Sequence, residues 1–352
     1  RLLAVRNHIE RAVRRAGPAF TALPWYCMSP ADTTWTDGYG HSADLAALYY
    51  SVLQELGYKP EFVLTTAAPQ DPRMEKFSQR HPDPDNFSAV LVRVKTAAGD
   101  VWFNDLDQYS RLGSSSYHDC QAMLLRTGKF FRIELAPEAR SRTRRVVTLN
   151  MMPGGAAEIT LNNLFSGEDF AVRNKFYSQL PPEERRRHYQ SLIAALSQSA
   201  QASSELNTDF DSYPGVERYT ALVQDFATLE DDFCYFEFPF SLQGLLRLWG
   251  SERKEPYFLS GSRPQELEIS IRLPSDYREM VLCPEDFRWQ SPANDSWVRI
   301  RRQKTSSTGV LRFRLEAEIS PEVFTVQDYP VLQELEKQLS HPANRTILLR
   351  KR

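Results

Sequence analysis

Apolar residues recur at the helical period in "SADLAALYYSVLQELG", where Leu45, Leu48, Tyr49, Val52, Leu53 and Leu56 share one face and Gly57 stands where a chain leaves a helix. The spacing predicts a helix over 43–56. Ser42 then falls at its N-cap, and Asp44 in the first turn, where a carboxylate favours the helix dipole. Leu2, Val5, Ile9 and Val13 predict an earlier amphipathic helix over 1–16 that ends before Gly17-Pro18. Between the two, "TALPWYCMSPADTTWTDGYG" is rich in aromatics and turn formers without a period and reads as a loop.

Beyond Gly57 the pattern changes to strands: "EFVLTT", "FSAVLVRVKT" and "DVWFNDLD", the last two joined by a turn through Ala98-Gly99-Asp100. The first region is therefore expected to be α+β, a helix laid on an antiparallel sheet. "AAPQDPRMEKFSQRHPDPDN" reads as an exposed loop within it, "YHDCQAMLLRTGKFFRIEL" closes it, and "APEARSRTRR" reads as a charged linker. A hairpin follows about Pro153-Gly154-Gly155, then helix over 168–201 with a second stretch starting at Pro181-Pro182-Glu183-Glu184. From 203 onward strands dominate until a helix in "TVQDYPVLQELEKQLSH" and a terminal strand in "NRTILLRK". These patterns place a first domain over 1–138 and a mostly β region with some helix over 139–352, with 245–260 offering a place for division into two subdomains.

Composition narrows the classes of function. Among 352 residues, 43 Lys+Arg stand against 45 Asp+Glu, so no bulk charge points to nucleic acid or to an anionic membrane. No apolar run approaches the roughly 20 residues that span a bilayer. The opening "RLLAVRNHIERAVRRAG" has no Met and no apolar signal region, so the chain reads as a fragment of a longer protein with a targeting sequence and a domain upstream. Cys27, Cys120, Cys234 and Cys283 lie far apart without a C-x-x-C pair, and the histidines are equally scattered. Neither pattern supports a metal site, and no cofactor is expected.

The candidate chemistry centres on Ser42. A helix N-terminus concentrates partial positive charge and free N–H groups, which favours a thiolate or an oxyanion, but a serine there needs an adjacent base. Gly40-His41-Ser42-Ala43-Asp44 comes near the elbow G-x-S-x-G, yet ends in Asp44. Serine is also among the best N-caps, and capping accounts for its presence without any catalysis.

Residues of about 1 to 135 resemble the transglutaminase-like branch of the papain-like cysteine superfamily, in the bacterial multidomain form with flanking β-rich domains. The family opens its helix with G-D-C-K-D-K-A-x-L-L. "GHSADLAALYYSVLQELG" keeps Gly40, Asp44, the leucine stripe and Gly57, but puts Ser42 where the nucleophilic cysteine stands. Against the family's F-N-H-V-I-V, "NFSAVLVRV" puts Ala89 at the histidine; against W-L-D-P-T, "VWFNDLDQY" offers Asn104 or Asp105 as the orienting residue. The resemblance implies the fold and a periplasmic or secreted location, while the losses argue against catalysis, because triad members act as one unit.

Three other groups bear on the same cleft. His41 and His118 are the histidines that could replace the lost base, and Cys27 in "PWYCMSP" is either a substitute nucleophile or a small packed apolar group. Trp25, Tyr26, Trp35 and Tyr39 crowd the approach to the helix, either lining a groove or packing over helix and sheet. The sequence thus points to a non-catalytic module that binds a peptide, protein or glycan in the residual cleft, or acts structurally. Its alternative is an active hydrolase or acyl-transferase using Ser42 or Cys27 with His41 or His118.

Overall fold

The structure, a computed structural model, describes all residues except 19, 67–70, 82, 239–244, 247, 249, 251, 275, 294, 306–308 and 352. The fold is mixed α+β and rich in strands. Its residues divide into two compact units, Arg1–Arg142 with Ser166–Phe176, and Thr143–Phe165 with Tyr177–Arg352. This differs from a single cut after residue 138 in that Ser166–Phe176 returns to the first unit.

The first unit holds α1 (Leu2–Ala12), α2 (Ala31–Asp37), α3 (Ser42–Glu55) and α4 (Pro72–Arg80). Two short strands, β1 (Arg14–Arg15) and β2 (Tyr39–Gly40), pair in parallel. Its main sheet has β3 (Pro60–Thr65), β4 (Ala89–Thr96), β5 (Gly99–Phe103), β6 (Gln121–Leu124) and β7 (Lys129–Arg132) in the order β5-β4-β3-β6-β7, antiparallel throughout. The segment expected as a loop before α3 contains α2, which Gly38 ends at φ 69. The expected excursion after β3 contains α4, started by the Asp71 side chain accepting from Arg73 N–H. Both helices were hidden by short length and few apolar positions, so capping and tertiary contact decide them.

The helical stripe of α3 buries Leu45, Leu48, Tyr49 and Leu53 against Ile9 and Val13 on one side and Val90, Val92, Val94, Val101 and Phe103 of the sheet on the other. Val63, Leu91, Trp102, Ala122 and Ile133 form a second cluster on the opposite sheet face. Alternate residues of β4 thus serve alternate faces, as the two-residue period of a strand requires. Helix α5 (Gly167–Gln179) is held to this unit by Asn174, which donates to Tyr109 O at 2.8 Å, and by Lys175 on Asp107 at 2.8 Å. A Cβ on Gly167 would meet Arg140 and Ser141 backbone at 2.5 Å, so only glycine allows this approach.

In the second unit, β8 (Arg142–Met151) and β9 (Ala157–Ser166) flank the Pro153–Gly155 turn, and the first of them takes in residues expected as linker. Helix α6 (Pro182–Ala194) precedes β10 (Ala200–Ala202), β11 (Asn207–Asp209), β12 (Gly215–Val223), β13 (Thr228–Glu230) and β14 (Phe233–Glu237). There follow β15 (Tyr257–Leu259), β16 (Ser262–Arg272), β17 (Tyr277–Leu282), β18 (Phe287–Gln290), β19 (Trp297–Thr305), β20 (Val310–Ile319), β21 (Glu322–Phe324), α7 (Tyr329–Ser340) and β22 (Thr346–Lys351). The large sheet runs β10-β12-β9-β8-β16-β20-β19-β18, with β11 also on β12, and a smaller one runs β13-β14-β22-β17. Part of the stretch at 245–260 lies outside the described residues. Leu246 and Leu259 within it are buried in one cluster that extends from Val147 to Leu349.

Candidate functional site

The start of α3 is built by a reciprocal cap. His41, not Ser42, is the N-cap: its Nδ1 accepts the Ala43 N–H at 3.0 Å, while Asp44 Oδ2 accepts the His41 N–H at 3.0 Å. Asp44 Oδ1 also accepts the Ser29 N–H at 2.8 Å, which ties the preceding loop to the helix. His41 Nε2 lies 3.2 Å from Asp44 Oδ1 but makes no hydrogen bond, its direction being unsuited to one. Gly40 is required by this packing, since a Cβ there would lie 2.9 Å from Asp44 Cβ and 3.0 Å from Thr34 Cγ2.

Ser42 is the first residue of α3, and its buried Oγ has no hydrogen-bond partner. The expected cap through Ser42 is therefore corrected by one residue. The sign was present: an acid three residues after an N-cap completes a capping box, and Asp44 is three from His41 but two from Ser42. Ser42 Oγ accordingly makes no hydrogen bond to His41 or to His118.

Asn104 is the centre of the arrangement. It sits just past β5 at φ 66, a left-handed conformation that asparagine tolerates better than most residues, and is buried. Its Nδ2 donates to Ser42 O and to Val90 O, both at 2.7 Å, so the helix start and β4 are pinned within twice that distance. Its Oδ1 accepts from Arg15 of β1 at 2.9 Å. Arg15 was not foreseen; nothing in local periodicity marks a basic residue in a two-residue strand.

Asp105 faces elsewhere. It accepts from Ser115 Oγ at 2.5 Å and from Ser116 N and Oγ at 2.9 and 2.8 Å, and burial pushes its carboxyl above the usual range. Of the two alternatives, Asn104 alone touches the helix start.

Ala89 pairs with Thr65 at the beginning of β4 and shares strand parity with Leu91, whose face looks away from α3. Its expected position opposite the helix is thereby corrected, because a one-residue slip moves a side chain to the other face. Val90 is the residue that packs with α3.

His118 belongs to the β6–β7 neighbourhood, its Nδ1 3.3 Å from Ile133 O, with burial and then Arg140 lowering its pKa. Cys27 is an exposed thiol, not a packed apolar group, while burial pushes Cys120 to about 11. Tyr26, Trp35 and Tyr39 are 71%, 41% and 59% exposed, too open for rings that fill a core. Trp35 leans on His8 with centroids 5.2 Å apart; the side chain of Trp25 lies outside the described residues. Among the described residues no cluster of His, Cys, Asp and Glu could hold a metal, and no helix is long and apolar enough to cross a membrane.

No family model matches the chain. No curated protein matches it either. The fold is similar to the solved structure of a protein from Parabacteroides distasonis described as a putative protease, with a TM-score of 0.54 at 13% identity over 99% of this chain. The chain spans about half of that protein's length, 51%. The likeness defines a shared α+β, strand-rich fold.

Proposed function

We propose that the chain is a transglutaminase-like module without catalysis, part of a larger exported bacterial protein, in which it holds a peptide, protein or glycan partner or serves a structural role. The observation that carries this reading is Asn104, whose amide spans Ser42 O and Val90 O where a nucleophile and its base would have to meet. The order of parts supports the fold: a helix start, then a strand, then a second strand whose end supplies the third group. Moving the base position from Ala89 to Val90 leaves the chemistry unchanged, since neither side chain can carry a proton. The rings of Tyr26, Trp35 and Tyr39 are exposed on the surface, as a partner-binding face requires.

The competing reading is a hydrolase or acyl-transferase using Ser42 or Cys27 with His41 or His118, for which the described function of the solved neighbour is the motive. Turnover decides between them. The chain is expected to leave fluorogenic peptide amides uncleaved and to join no amine to a glutamine substrate; activity lost on Ser42→Ala or Cys27→Ala overturns the proposal. The cleft itself is tested by thiol alkylation against pH in Ser42→Cys and in Ser42→Cys with Val90→His. A histidine facing the helix start should lower the thiolate pKa beyond the effect of the dipole. Equal values in two folded variants would refute the juxtaposition.

A further inference from the structure

The large sheet ends at β18, and its outward face there is basic. The register sets Arg288 opposite Arg299 and Arg301 opposite Arg314, so like charges face each other on neighbouring strands, an unfavourable arrangement by itself. Farther inside, the same face neutralises itself: Arg144 bridges Glu266 and Glu268, and Arg314 bridges Glu266 and Glu316. Among the described residues Arg288, Arg299 and Arg301 reach no carboxylate at ion-pair distance. Arg288 and Arg301 are exposed, and Arg299 lies 5.3 Å over the Trp297 ring. Asp286 accepts the Arg302 N–H at 2.6 Å, Glu316 stands opposite Arg299 but is bridged to Arg314, and Glu318 stands opposite Trp297.

The second observation is the edge. β18 is the last strand in the order, and no strand lies beyond it among the described residues. An edge strand turns alternate N–H and C=O groups outward, a template for an added chain. We propose that this edge receives an extended acidic segment of a partner protein as an additional strand, with its carboxylates over Arg288, Arg299 and Arg301.

Charge and spacing select that occupant. Strands lie about 4.8 Å apart, so a glutamate on the added strand stands beside Arg288 and within reach of the long side chains of Arg299 and Arg301. Guanidinium groups grip carboxylates through paired hydrogen bonds. A second copy of this chain, pairing edge to edge, would bring Arg288 toward another Arg288. A polybasic membrane site uses about 4–8 clustered cations, and a tightly held nucleic acid about 6–10 phosphate contacts; three arginines fall short of both. The site lies wholly in the second unit and does not depend on the reading of the first.

The test uses the full chain and a fluorescein-labelled peptide of about ten residues alternating Glu and Thr, long enough to lie along a strand. Fluorescence anisotropy is expected to show binding that weakens with salt and falls at least tenfold in Arg288→Gln/Arg301→Gln. The same peptide N-methylated at alternate residues on its pairing edge should also fall at least tenfold, because ladder hydrogen bonds are removed while charge is kept. Circular dichroism checks that the exposed-site variant is folded. The proposal is overturned if the peptide does not bind, if the N-methylated peptide binds equally, or if heparin or anionic vesicles bind where the peptide does not.

Discussion

Replacing Asn104 by alanine should loosen the junction of α3 with the sheet. The change removes three hydrogen bonds, to Ser42 O, to Val90 O and from Arg15. Each carbonyl keeps a second lone pair for main-chain bonding and Arg15 is exposed to water, so each loss sits near the low end, about 1 kcal/mol. Alanine at φ 66 adds about 1 kcal/mol for a left-handed backbone, making roughly 3–4 kcal/mol in all. Glycine avoids the backbone term but loses about 0.4–1 kcal/mol through its freer unfolded chain. Asn104→Gly should therefore be the milder variant by about half a kcal/mol. Hydrogen exchange read by mass spectrometry on peptides from α3 and β4 isolates this unit from the other. With about 1.4 kcal/mol per tenfold change, protection should drop by two orders of magnitude or more in Asn104→Ala, provided exchange reports the opening equilibrium. Protection unchanged within about threefold, a shift below about 0.7 kcal/mol, or equal loss confined to β5, would refute the clamp.

His41→Ala should cost about 1 kcal/mol by removing the cap, whereas Ser42→Ala should stay within about 0.5 kcal/mol because its Oγ has no partner; urea denaturation of both variants checks the assignment. Gly40→Ala should destabilise by about 1–3 kcal/mol through overpacking against Asp44 and Thr34, seen as a lower midpoint at unchanged slope. Burial raises the Glu10 carboxyl pKa, outweighing the bond donated by Tyr49 at 2.7 Å and the attraction of Arg15. The folded state then holds its proton more tightly, so the Glu10 contribution is fully present below the unfolded pKa and is lost as pH rises through the folded one. Glu10→Gln should remove that loss on raising the pH through the folded pKa in a series of unfolding curves; an unaltered pH profile would contradict it.

Much of the architecture was legible along the chain. The stripe of α3, its stop at Gly57, the apolar run of β4, the alternation of the long strands β12, β16, β19 and β20, and the α7–β22 ending all follow from the local pattern of apolar positions. Periodicity needs several residues to declare itself, so short elements escaped: α2 and α4, and the three- or four-residue β10, β11, β15, β18 and β21. They exist because caps and neighbouring strands complete their hydrogen bonds.

The candidate site was legible as a set of residues and not as an arrangement. The helical pattern brought Ser42 into view and the family resemblance brought Asn104 or Asp105, but the cap fell on His41 because Asp44 reaches back three residues, a reciprocal bond rather than a propensity. The face of Ala89 was set by the pairing of β4 with β3, since parity is counted from a register that no single strand contains. The choice between Asn104 and Asp105 was made by a left-handed backbone turn and by two serines ten and eleven residues farther on, which draw the carboxylate away and leave the amide facing the helix. Local order follows from neighbours in the chain; which groups meet follows from hydrogen bonds closed across it.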